Sequence, residues 1–284
     1  MLRIRRMRAA DIPFAVQLSD QENWGTTRND FSRLLRLNPS GCFIAYEGTK
    51  RVGLTTATLY GKTLAWIGNV IVDRHYRGKS IGPALVEHAV TFIERSRVRH
   101  VALYCFAEHV RFYERLGFVR DAQFFRMRRR PRSVETTVNV SVSHPAPSLT
   151  DVLRADKLVF GADRSRLVRD VLDKKAGWYI GSIDGNGHLC YLFVREYADM
   201  CEIGPWACID PPRGEAKMML SRAIREVGTL PVEASCLRMN RDAHAMMTQA
   251  GFRVIREGYR MFLESRARIG NDRAQFALGF LDKG

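Results

Sequence analysis

The sequence predicts an α/β protein of the α+β type, a mixed sheet flanked by helices, laid down as two consecutive copies of one fold. Three observations predict it. Runs rich in Val, Ile and Phe interleave with segments whose apolar residues recur every three to four positions. The length, 284 residues, suits two domains, and a 46% apolar fraction supplies a core for each. Three segments recur in order at nearly constant spacing. IGNVIVD at 67–73 returns as IGPWACID at 203–210, RGKSIGPALVEHA at 77–89 as RGEAKMMLSRAIR at 213–225, and HVRFYERLGF at 109–118 as HAMMTQAGF at 244–252. One shared diagonal makes duplication the reading.

The first copy resolves into elements in order. A strand is expected at Leu2–Met7, then helices at Ala10–Gln21, with Asp11 near its start, and Asn29–Leu37. Strand patterns follow at Cys42–Glu47, Arg51–Leu59 and Leu64–Asp73. A helix after residue 80 runs to Arg95, followed by a strand at His100–Phe106, a helix at Glu108–Leu116 and a strand at Phe118–Arg128. Pro131, Pro145 and Pro147, with a change in charge balance, mark a boundary that gives domains 1–132 and 133–284.

The segment WIGNVIVDRHYRGKSIGPALVE at 66–87 carries the chemistry. It reads as a buried strand, a basic Gly-containing loop and an amphipathic helix. Such a loop aims several backbone N–H groups at one spot beside the positive end of a helix dipole, an arrangement that suits a pyrophosphate. Neither G-x-x-x-x-G-K-[ST] nor G-x-G-x-x-G fits it.

The loop resembles the acetyl-coenzyme A loop of the GNAT (GCN5-related) N-acetyltransferases, [QR]-x-x-G-x-[GA]. Arg77 opens the motif, Gly82 closes it, and Ser80 stands where the middle glycine is expected. The element order matches that family, as does an R-x-x-x-x-D opening from Arg6 to Asp11. Asn23-Trp24, GADRSRLVRDVL at 161–172, IGPW at 203–206 and RM at 260–261 resemble a two-domain subgroup whose second half is a diverged GNAT-like copy. Tandem GNAT folds are therefore expected, with a catalytic first copy and a degenerate second copy lacking the cofactor loop. Met247 replaces Tyr113 there, and no glycine matches Gly82.

The resemblance implies direct transfer from acetyl-coenzyme A to an amine in a ternary complex. Its pantetheine would pair with the main chain of Val70, Ile71 and Val72. Its pyrophosphate would lie on the amides of Arg77, Gly78, Lys79, Ser80, Ile81 and Gly82. A serine at the middle position carries a steric penalty if φ there is positive. Tyr113 matches the tyrosine that protonates the departing thiolate, a suitable role for a phenol; as packing, the same ring would join Phe112 and Leu116. No general base stands out between Leu103 and Glu108. Asn23, Trp24, Tyr60 and Phe106 are candidates for the acceptor site. Asp163 and Arg164 read as a helix cap and an internal ion pair. His88, His109 and His244 read as ordinary surface or core residues.

Composition narrows the partners. The net charge is +15 at pH 7, and residues 1–133 carry most of it, with 24 Lys+Arg against 11 Asp+Glu. A positive field suits a polyphosphate cosubstrate and also nucleic acid. The RMRRRPR run at 126–132 reads as a solvated strand end, and nucleic acid is not the expected partner. Six cysteines without a C-x-x-C read as buried reduced thiols of a cytoplasmic chain, with no metal site. No run of about 18 apolar residues suggests a membrane span. A small-molecule amine is the expected acceptor; a protein N-terminus or lysine, and a non-catalytic acyl-CoA- or nucleic-acid-binding module, are the alternatives. Assembly as a homo-oligomer is left open.

Overall fold

The computed structural model describes residues 1–131, 146–184, 186–197, 199–210 and 214–284. The expected boundary between residues 132 and 133 lies outside the described residues, as does Arg213, which opens the second copy's loop segment. The first half contains β1 (Leu2–Arg6), α1 (Ile12–Gln21), α2 (Arg28–Leu37), β2 (Cys42–Glu47), β3 (Lys50–Tyr60), β4 (Leu64–Val72), α3 (Ile81–Arg95), β5 (His100–Phe106), α4 (Val110–Glu114) and β6 (Phe118–Arg129). The second contains α5 (Leu149–Phe160), α6 (Ser165–Asp173), β7 (Gly177–Ile183), β8 (Leu189–Glu196), β9 (Cys201–Ile209), α7 (Glu215–Val227), β10 (Val232–Leu237), α8 (Arg241–Gln249), β11 (Arg253–Leu263) and β12 (Gln275–Ala277). From the paired helices onward the two orders agree through β11, as the repeated segments predict.

The strands join in one mixed sheet of order β1-β2-β3-β4-β5-β11-β6-β10-β9-β8-β7, with β12 against β9. The two halves have exchanged their last strands. β11 lies antiparallel to β5, with Tyr259 opposite Cys105, while β6 lies antiparallel to β10, with Arg126 opposite Ser235. The exchanged strands also pair with each other along nearly their whole length. Each half is thus completed by backbone from the other.

The exchange overturns the solvated reading for Arg126 and Arg129, while Arg128 and Arg130 stay exposed and Arg132 lies outside the described residues. Arg126 Nε donates to Glu233 at 2.7 Å, and its NH1 pairs with Glu202 and donates to Ser235 Oγ at 3.2 Å. Arg128 Nε donates to Glu233 at 2.6 Å. Arg129 is buried and donates to the carbonyl of Ala250 at 3.0 Å. These side chains form a charged seam between the halves.

Asp11, at the turn into α1, is fully buried. Its partner is Arg5 rather than Arg6: Arg5 donates two bonds at 2.9 and 3.0 Å, Arg51 Nε one at 2.7 Å, Tyr46 one at 3.1 Å and the Arg8 amide one at 2.8 Å. Burial by itself would raise this carboxyl, but the bonds from Arg5, Arg8 and Arg51 outweigh it and hold its pKa at about 2, against an ordinary 3.8. A depressed folded pKa adds stability above the unfolded value, lost as pH falls from about 4 to about 2. With side chains 29% and 39% exposed at Arg5 and Arg51, solvent trims this to about 1–2 kcal/mol. Asp11→Asn is expected to lower the urea midpoint at pH 7, and the gap to the parent protein should narrow below about pH 4 and close toward about pH 2.

The other charged anchor lies in the second half. Arg164 is 1% exposed and grips Asp156 with two bonds of 2.9 and 2.8 Å, while Tyr191 donates to the same carboxylate at 2.7 Å. Asp163 Oδ1 accepts from the Ser165 amide at 3.0 Å at the start of α6. The ion-pair reading of Arg164 agrees with the structure; the cap position of α6 is held by Arg164 without a side-chain cap bond, and Asp163 stands just before it. All six cysteines are buried and free.

Candidate active site

β4 and β5 run parallel and pair only from Leu64–His100 to Ile67–Leu103. Beyond that point they splay. β4 continues to Val72 against β3, with Leu54 opposite Ile71 and Gly53 opposite Val72, so its other edge faces a cleft. The splay begins where Asn69 adopts φ +50°, within a register irregularity of the β3–β4 pair. A cavity of about 780 Å³ fills the V, lined by residues 67–72 of β4 on one side and Tyr104, Cys105 and Phe106 of β5 on the other.

The second half makes the same V and closes it. β9 and β10 pair only from Cys201–Val232 to Ile203–Ala234. Past them, β12 lies against β9, with Gln275 opposite Ala207 and Ala277 opposite Trp206, and the Cys208 amide donates to the Ala274 carbonyl at 2.9 Å. On the repeat diagonal, residues 206–208 correspond to 70–72. The chain's own strand therefore occupies in the second copy the edge that the first copy leaves free.

At the open end of β4 the chain makes a short helical turn, Arg74–Tyr76, and then the Arg77–Ser80 loop into α3. Gly78 and Ser80 both have positive φ, +79° and +56°. Two left-handed residues in a short loop turn successive N–H groups to one side. Ser80 caps α3 without a side-chain hydrogen bond, so the first-turn amides of Ile81 and Gly82 face the dipole's positive end without that competitor. Gly82 packs on Phe112, whose ring atoms would stand 3.4 Å from an added Cβ. Arg77 Nε donates to the Val72 carbonyl at 3.1 Å and its NH2 to Glu22, tying the loop to the segment after α1. A left-handed serine is strained by about 1–2 kcal/mol, against about 0.5–1 kcal/mol of chain entropy for glycine. Ser80→Gly is expected to raise stability by up to ~1 kcal/mol in urea unfolding while leaving ligand affinity within threefold by calorimetry.

Tyr113 projects from α4 into the cavity. Its ring packs edge-on against Phe112 and Phe118, at centroid distances of 4.8 and 5.9 Å. Its hydroxyl has no hydrogen-bond partner among the described residues. Burial, and secondarily Cys105, push its pKa above the ordinary phenol value, so it stands protonated at neutral pH. Burial also pushes the Cys105 thiol up to about 12, which removes it as a thiolate nucleophile.

Of the residues expected at the site, Val70, Ile71, Val72, Arg77, Gly78, Ser80, Ile81, Gly82, Tyr113, Asn23, Trp24 and Phe106 all line this cavity. The Lys79 side chain turns to Glu47, its Nζ 3.4 Å from the carboxylate, and its expected part is that of its main-chain amide. One expectation needs correction. Tyr60 is buried below the cavity, where its hydroxyl donates to the Lys283 carbonyl at 2.5 Å. His109 also borders the cavity; His88 and His244 pack on Phe43 and Phe125.

Sequence reasoning missed the second half's contribution. Arg195, Tyr197, Glu202, Glu233 and residues 281–283 line the same cavity, beside Arg126 of β6. The 278–284 segment crosses both copies at equivalent glycines: an added Cβ would stand 1.9 Å from the Leu278 oxygen at Gly204 and 2.0 Å from the Asp282 oxygen at Gly68. The repeated Ile-Gly pair at 67–68 and 203–204 was the available signal, because glycine inside a strand marks close backbone approach.

Residues 4–118 match the family model described as Acetyltransferase (GNAT) family. That segment is similar to GNAT-family domains. The chain is 34% identical over 74 residues to GCN5-related N-acetyltransferase 2, chloroplastic, of Arabidopsis thaliana, covering 26% of this chain and 29% of that protein. It is 30% identical over 77 residues to histone acetyltransferase TAP1 of Glycine max, covering 27% and 33%. The matched segment thus spans about a third of these curated relatives. A putative acetyltransferase from Pyrococcus horikoshii superposes on the whole chain with a TM-score of 0.79 at 22% identity, covering 100% of this chain and 96% of that one. A tandem GNAT protein from the clavulanic acid biosynthesis pathway superposes with a TM-score of 0.67 at 15% identity, covering 94% and 100%. Identities this low carry the fold, and the fold is a tandem GNAT. Among the described residues, no cluster of three or more His, Cys, Asp or Glu is placed to hold a metal ion, and no helix is long and apolar enough to cross a membrane.

Proposed function

We propose that the first GNAT domain is an acetyl-coenzyme A-dependent N-acetyltransferase acting on a primary amine of a small molecule, and that the second copy is structural and walls the acceptor side. One observation carries the reading: the β4–β5 cleft stays open with an unpartnered Tyr113 hydroxyl inside it, while the equivalent β9–β10 cleft is filled by β12.

The residues fit acetyl-coenzyme A. The Arg77–Gly82 amides would take the pyrophosphate, and the free edge of Val70–Val72 would take the amide arm as β12 is taken by residues 206–208. The cosubstrate supplies an activated acetyl group. Tyr113 supplies the proton for the departing sulfur, at a geometry set by its packing on Phe112 and Phe118. With Cys105 protonated, direct transfer is favoured over an acetyl-cysteine route. Walls from both halves favour a small acceptor over a folded protein surface.

The test follows coenzyme A thiol release with a panel of amino acids, polyamines, amino sugars and short peptides, beside calorimetry with acetyl-coenzyme A. Release with a small amine supports the proposal, and preference for a peptide N-terminus or lysine moves the acceptor to polypeptides. Absence of acetyl-coenzyme A binding, with tight salt-dependent binding of nucleic acid in its place, refutes it.

A further inference from the structure

We propose that Asp282, carried by the second half, seats the acceptor ammonium and takes its first proton; this rests on the acetyltransferase reading above. The position of the thioester end follows from the fold itself. β12 lies along β9 from Cys208 toward Trp206, and the chain then passes over Gly204 at Leu278. A ligand held on β4 in the same register starts at the Arg77–Gly82 loop and runs back toward Gly68. The backbone of Asp282 passes over Gly68, so its carboxylate lies beside the end of that arm.

The carboxylate is held there. Asn69 Nδ2 donates to Asp282 Oδ2 at 3.2 Å and to Thr56 Oγ1 at 3.1 Å. Asn69 is 3% exposed, lines the cavity, and its Oδ1 has no partner. A buried amide oxygen without a donor is costly, and an ammonium brings three donors. The segment is anchored on both sides of Asp282: Phe280 lies under the Arg195 guanidinium, the Lys283 carbonyl accepts from Tyr60, and the Gly284 carbonyl accepts from Arg164 at 2.6 Å. Charged and titratable groups facing Asp282 are Lys283 on the same segment, Tyr60 from β3 and Tyr197 just beyond β8, and behind them Asp30 from α2 faces Lys283 while Arg195 from β8 and Arg126 from β6 face Tyr197. Lys283 Nζ pairs with Asp282, so the acceptor ammonium would share or replace that pairing.

The proton ledger closes. Asp282 accepts one proton from R–NH3+ and releases it to solvent. The freed lone pair forms the C–N bond as the C–S bond breaks. A second proton leaves nitrogen and replaces the one Tyr113 delivers to sulfur. At pH 7 an alkylamine of pKa near 10 is about 0.1% neutral in solution, so a group that deprotonates it in place has a large effect.

Asp282→Asn keeps the shape, and Asp282→Ser is the second variant. Both are expected to bind acetyl-coenzyme A with unchanged affinity by calorimetry and to lose about 100-fold in kcat/KM at pH 7. The log of the residual rate should climb about one unit per pH unit from 7 to 9, while the parent profile is flatter. Parent-like rate and profile would overturn the inference. So would equal loss of acetyl-coenzyme A binding, which assigns the segment a structural role, or acetylation of Lys283 itself by mass spectrometry, which puts the segment in the acceptor's place. A parent protein that acetylates nothing in the amine panel refutes the acetyltransferase reading and this inference with it. A parent that turns over normally beside an unaffected Asp282→Asn refutes this inference alone.

Discussion

Replacing Tyr113 by phenylalanine is expected to lower kcat by 10²- to 10⁴-fold, the range set by loss of a positioned general acid. Acetyl-coenzyme A affinity should stay within about twofold, because the ring that shapes the cleft against Phe112 and Phe118 remains. The melting temperature should hardly move, since the hydroxyl has no partner within the described chain to lose. Stopped-flow thiol release and calorimetry separate the two effects. A parallel fall in turnover and affinity would make Tyr113 a packing residue and leave the open cleft without its proton donor.

Arg164→Met is expected to have the largest effect on stability, about 3–5 kcal/mol, read as a fall of roughly 10 °C or more in melting temperature. It strands the Asp156 carboxylate at 1% exposure, with Tyr191 as its remaining donor. It also frees the Gly284 carbonyl, so residues 280–284 lose a tether and the acceptor KM should rise. Asp156→Leu combined with Arg164→Met removes the stranded charge and should recover more than half of the lost stability, because a buried ion pair replaced by apolar side chains is often nearly neutral. The KM rise should persist in the double variant. Recovery of both together would detach the anchor from the acceptor site.

Much of this was legible in the chain. The strand–loop–helix order around Arg77 was readable because strand, loop and helix signals are local. The repeat diagonal sets Met247 against Tyr113, and the two copies do differ in the structure, with β12 lying on β9 where the equivalent edge of β4 lines a cavity. The question posed by Ser80 had its answer in φ +56°: the turn needs the left-handed conformation, and serine bears it. What stayed hidden depends on non-local pairing. Nothing in RMRRR announces burial until β6 is placed beside β10, where Glu202 and Glu233 meet it. Tyr60 looked like a pocket aromatic and proved to be the support of a segment more than 200 residues away. Asp282 carries no local motif at all; only the pair of glycines it and Leu278 cross hints that backbone must pass there.

The strand exchange also dictates an order of events during synthesis. The first GNAT domain, though encoded first, cannot complete its sheet until residues 253–263 have been made, because β11 and not β6 lies against β5. A nascent chain of half length therefore presents the unpaired outer edge of β5, along with β6 still awaiting β10. Such edges recruit other strands, and contacts this distant in sequence form slowly. Domain-by-domain folding from the ribosome, the usual safeguard of a two-domain protein, is closed to this one; its halves mature together, and the open cleft that makes the first of them useful is a property of the finished chain.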